Sequence, residues 1–98
     1  MLNILYIGGH PEILETVVRL LNANEDWFGT GAATDETALD LFSKINFQIV
    51  LLGCGIEEES EEKLCKFFQE TNRDCKIIQH YGGGSGLLKN EILHALEN

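Results

Sequence analysis

Apolar and polar positions follow two rhythms along this chain. Short runs that are apolar at nearly every position alternate with longer stretches whose apolar residues return every three or four positions. Leu2–Ile7 is the first run and reads as a strand ending at Gly8-Gly9. Pro11 suits the first turn of a helix, where a missing N–H costs nothing, and Leu14, Val17, Val18 and Leu21 give that helix a buried face. Asn22 to Asp26 closes it in a polar turn. Trp27–Ala33 is a second, weaker strand, diluted by Gly29 and Gly31 and therefore assigned to an edge. Either Thr34 or Asp35 caps the next helix, in which Ala38, Leu41, Phe42 and Ile45 share one face.

Phe47–Leu52 is apolar on both faces, as a central parallel strand covered by helices should be. The acidic stretch EEESEE, Glu57–Glu62, starts a third helix, where negative charge suits the positive end of the dipole. Leu64, Phe67 and Phe68 supply its apolar side. Cys75–Tyr81 is a fourth strand, and GGGSG, Gly82–Gly86, leads into a last helix that buries some of Leu88, Ile92, Leu93, Ala95 and Leu96. Strand followed by helix, repeated along the whole chain, predicts a single α/β domain over residues 1–98. Its sheet is parallel, with right-handed crossovers and helices on both faces.

Composition narrows the functional classes. With 98 residues and 44% apolar content, the chain can fill one core and little more. The longest apolar run is too short to span a bilayer, and MLNILYIGG lacks the basic flank of a secretion signal. Three cysteines, Cys54, Cys65 and Cys75, form an odd set without a CxxC pair, which fits a reducing cytoplasm better than a disulfide framework. A net charge of −9, from 16 acidic against 7 basic residues, opposes nucleic acid and anionic membranes as partners.

The order of these segments resembles the receiver domains of bacterial response regulators. ILYIGGHPEILETVVRLL is similar to the receiver opening, in which an acidic pair precedes the first helix. AATDETALDLF is similar to the end of the second strand and the second helix. FQIVLLGCG resembles the third strand, which in that family ends at the phosphorylated aspartate, and KIIQHYGG resembles the fourth, which ends at a Thr or Ser. The resemblance covers the first eighty or so residues. It implies a flavodoxin-like three-layer α/β/α fold with four parallel strands in the order 2-1-3-4. The family's last strand–helix unit, with its lysine, is missing from the pattern, and Lys89 lies inside the final helix.

Function does not carry over with the pattern. Gly8 and Gly9 stand where the metal-binding acidic pair would be, and Gly53 stands in place of the phosphoacceptor. Tyr81, or His80 if the register slips by one, takes the hydroxyl position. Aspartyl phosphorylation needs a carboxylate nucleophile and a divalent cation to neutralise the transferring charge. Magnesium seeks carboxylate oxygens, and glycine offers none. The expectation is a pseudo-receiver: no enzyme, no cofactor and no bound metal, working as a cytoplasmic protein–protein interaction module in bacterial signalling.

In a 2-1-3-4 sheet the ligand crevice lies between strands one and three. Gly8, Gly9, His10, Gly53, Cys54, His80 and Tyr81 empty into it and form the candidate ligand-binding set. His10, Cys54 and His80 are a donor set that suits zinc, though no zinc-ligand spacing is present. Cys54 beside either histidine is also the minimum of a nucleophilic dyad, without an orienting acid. The glycines suit an anion held by backbone N–H groups, though GGGSGLLKNEI matches neither GxGxxG nor GxxxxGK and the charge opposes phosphate. A small-ligand, anion or metal-binding domain is thus the alternative function. Loss of the last unit would also uncover the edge of strand four, with Tyr81, Phe67 and Phe68 nearby, for a protein partner or a homodimer.

Overall fold

The computed structural model describes residues 2–53, 56–79 and Ile92. Its elements run β1 (Leu2–Ile7), α1 (Pro11–Asn22), β2 (Trp27–Ala32), α2 (Asp35–Lys44), β3 (Ile49–Leu52), α3 (Glu58–Thr71) and β4 (Lys76–Gln79). The four strands form one sheet in the order β2-β1-β3-β4, and every pairing is parallel. The parallel sheet is what the hydrophobic rhythm predicts, and its strand order is the flavodoxin-like one that the receiver resemblance implies. The expected missing unit falls on residues 80–98, which lie outside the described residues except for Ile92.

The strands divide their side chains between two layers, because successive residues point to opposite faces. Leu5, Ile7, Val50 and Leu52 face α2 and α3, where Ala38, Phe42, Leu64 and Phe68 close over them. Ile4, Tyr6, Ile49 and Leu51 face α1 and meet Val17 and Leu21. Ile92, fully buried, joins this second layer. All four residues of β3 are buried, so its continuous apolar run reflects helices on both sides.

Boundaries shift for identifiable reasons. Thr34 rather than Asp35 caps α2, its hydroxyl accepting from the Thr37 N–H at 3.2 Å. The regular part of β3 starts at Ile49 rather than Phe47, whose carbonyl accepts from Asn72 Nδ2 at 3.4 Å. β4 covers the middle of the predicted Cys75–Tyr81 run, and His80 and Tyr81 are outside the described residues. Phe68 is fully buried between Phe42 and Phe67, so it is core and not part of an open aromatic flank.

Two polar devices finish the sheet. At the pole where strands begin, the Asn3 N–H donates to Gln48 Oε1 at 2.7 Å and Asn3 Nδ2 to the Asn46 carbonyl at 3.3 Å. Asn72 Nδ2 donates to Asn46 Oδ1 at 3.0 Å, completing a belt of amides. At the β2 edge, Asn22 reaches across from the end of α1 and engages Gly29 through both its carboxamide atoms. No buried side-chain N or O among the described residues lacks a partner.

Candidate functional site

The crevice forms where β1 and β3 end side by side. Ile7 pairs with Leu52, and the Gly53 N–H continues the ladder onto the Ile7 carbonyl at 2.8 Å. The Gly8 N–H turns the other way and donates to the Ala32 carbonyl at 3.1 Å. Gly8 and Gly53 are thereby neighbours, both buried, while Gly9 and His10 are exposed. Cys54, His80 and Tyr81 lie outside the described residues.

Tyr6, which the sequence reading counts only as a strand residue, fills this place. Its side chain shares a face with Gly8, two residues on, and leans along the strand toward the sheet's end. The ring is 1% exposed. A Cβ on Gly53 would lie 2.0 Å from Tyr6 Oη and 2.4 Å from Cζ; a Cβ on Gly8 would lie 3.0 Å from Cε1. The phenol therefore takes up the volume into which any side chain at residue 53 would project. A tyrosine two residues before one glycine, and diagonal to another across the β1–β3 pair, is the signal for it. That signal needs the strand register, which the sequence alone supplies only by analogy.

His10 precedes α1 without capping it by a side-chain hydrogen bond, and with Pro11, Glu12 and Ile13 it lines an open hollow at that helix's start. Among the described residues, no three His, Cys, Asp or Glu side chains are grouped to hold a metal ion. No helix among them is long and apolar enough to cross a membrane.

The two described cysteines sit away from the crevice. Cys65 lies in a groove on α3 with Glu58, Glu61 and Glu62, and its thiol pKa is raised by burial and then by the Glu61 charge. Cys75 is buried in the α2–α3 layer, and burial pushes its thiol from the ordinary 9.0 up to about 11. Both shifts favour the protonated, unreactive form. The folded state holds the Cys75 proton more tightly than the unfolded chain does. Its contribution to stability is therefore complete below pH 9.0 and is lost as the pH rises through about 11. Urea midpoints should accordingly fall over that alkaline window, and should fall less in Cys75→Ala; parallel declines in the two proteins would remove Cys75 as the cause.

The backbone is similar to that of the response regulator TrrA from Thermotoga maritima, solved in complex with Mg(2+)-BeF. The TM-score is 0.81 at 19% identity, over 97% of this chain and 99% of that one. It is also similar to RcsB from Salmonella enterica serovar Typhimurium, solved on promoter rprA with the phosphomimetic BeF3−. There the TM-score is 0.76 at 10% identity, over 99% of this chain and 62% of RcsB. A response regulator receiver domain protein from Clostridium thermocellum gives 0.71 at 20% identity, over 99% and 76% of the two chains. Such identities establish a receiver-like fold and nothing finer. No protein-family profile and no curated protein matches the sequence.

Proposed function

We propose that this domain is a receiver-like module that signals through protein–protein contact and takes no part in phosphotransfer. One observation carries the reading: the position at the end of β3 is a glycine whose side-chain space is occupied by Tyr6. A carboxylate nucleophile is absent there, and Gly8 and Gly9, which follow β1, bring no side-chain oxygens for a hard cation. The same ring weakens the alternative of a small ligand in the glycine-lined crevice, because it consumes the volume that such a ligand would need. The net charge of −9 favours a basic protein surface as partner over DNA. The docking face we assign, for a partner or a second copy, is the β4 edge, since β2 is engaged by Asn22. The setting we infer is the bacterial cytoplasm, and the activity is binding rather than catalysis.

The test uses Mg2+ with beryllofluoride, and separately acetyl phosphate, on the intact protein. Trp27 is the single tryptophan and packs against the α1 layer, so its fluorescence reports on the sheet. Unchanged emission with beryllofluoride and unchanged intact mass with acetyl phosphate are expected. A saturable fluorescence change, or a phosphorylated species, would overturn the reading.

A further inference from the structure

Among the described residues, β2 has β1 on one side and no strand on the other. Along a strand, the N–H and C=O of one residue point to the same side, and successive residues alternate. Since the Ala32 carbonyl accepts from Gly8, the even-numbered residues of β2 turn toward β1. Trp27, Gly29 and Gly31 therefore turn their backbone groups outward. Two of these three are already engaged from within the chain. The Trp27 N–H donates to the Asn24 carbonyl at 3.1 Å. The Gly29 N–H donates to Asn22 Oδ1 at 2.9 Å, while Asn22 Nδ2 donates to the Gly29 carbonyl at 3.1 Å.

A carboxamide offers a donor and an acceptor side by side, as a peptide group does. Asn22 thus gives Gly29 the pair of hydrogen bonds that a residue of an added strand would give. The reach depends on close approach of α1 to β2. A Cβ on Gly29 would lie 2.6 Å from Leu21 Cβ, and one on Gly31 would lie 2.9 Å from Val18 Cγ2. The two glycines let the helix settle onto the strand, and the last residue of α1 then overhangs the edge.

We propose that Asn22 is an edge cap, a side chain that occupies the place of a further strand and so prevents a second copy of this chain from pairing along β2. A second copy is the relevant occupant because an identical edge pairs with itself about a two-fold axis, and each molecule carries one. Phe28, 46% exposed on the same strand, would be covered by such pairing. The cap acts irrespective of phosphotransfer and of what docks elsewhere.

Sedimentation of Asn22→Ala over a concentration series, with folding checked by circular dichroism, tests the proposal. The variant should associate beyond the wild type as concentration rises, and Phe28→Lys in the same chain should reverse this by placing charges at the new interface. At dilutions where the variant is monomeric, the Gly29 amide should exchange about tenfold faster than in the wild type, the loss of roughly one net hydrogen bond. Should the alanine variant fail to fold, Asn22→Asp keeps the acceptor for the Gly29 N–H, loses the donor, and should associate to a lesser degree. Wild-type association and wild-type Gly29 exchange in the folded variant would overturn the proposal. So would association that Phe28→Lys leaves intact.

Discussion

Gly53→Asp is expected to destabilise the domain by on the order of 3 kcal/mol and to confer no phosphorylation. The new Cβ would lie 2.0 Å from Tyr6 Oη, so the buried ring has to leave its place before the carboxylate can enter. The carboxylate then sits at a buried position beside Gly8. In a domain of this size the loss corresponds to a thermal midpoint lower by roughly 12 °C or more. Gly53→Ala isolates the steric part and should lose less than the aspartate variant. Tyr6→Ala in the same chain as Gly53→Asp should cost less than the two single changes added together, because removing the ring removes the clash. Strict additivity of the two would mean that Tyr6 and residue 53 do not compete for one space. A receiver is thus not recovered by restoring its aspartate alone.

Phe68→Ala should cost about 3–5 kcal/mol, the range for emptying an aromatic site in a core. The ring is fully buried, its centroid 4.4 Å from that of Phe42 and 6.0 Å from that of Phe67. It joins α3 to α2 and to the face of the sheet formed by Leu5, Val50 and Leu52. A cavity there touches three elements, and none can close it without leaving another. Against a total stability of about 5–15 kcal/mol for a small domain, the variant would keep little margin. Phe67, half-buried on the rim of the same cluster, should lose clearly less when cut to alanine. Urea titration of both variants checks the order; equal losses would show that the cluster is not centred on Phe68.

The architecture was legible because its signals are local. The continuous apolar stretch of β3 and the periodic faces of α1 and α2 each follow from a few neighbouring residues. Gly29 and Gly31 marked β2 correctly as an edge strand, yet weakness is not what they provide. They allow Leu21, Val18 and Leu14 to press against the strand, a relation between segments that no single window contains. Tyr6 is the clearest case. Gly8 and Gly53 were singled out for what they lack, whereas the ring that makes glycine necessary there lies in the strand before them. Its role depends on a diagonal contact across the β1–β3 pair, and that requires the register. The choice between Thr34 and Asp35 as the helix cap likewise turned on one hydroxyl reaching the Thr37 N–H.

The amide belt at the start of the strands has a consequence for how the molecule ages. Asn3, Asn46, Gln48 and Asn72 carry no charge, so their hydrogen bonds do not titrate and are not screened by salt as the exposed ion pairs of Arg19 with Glu15 and Lys44 with Asp40 are. Spontaneous hydrolysis is a different hazard. Deamidation of Asn72 would turn the donor that faces Asn46 Oδ1 at 3.0 Å into an acceptor, and a second such event at Asn46 would set two negative charges against each other. Slow covalent change of these amides is thus a hazard to this end of the sheet that a contact map alone does not display.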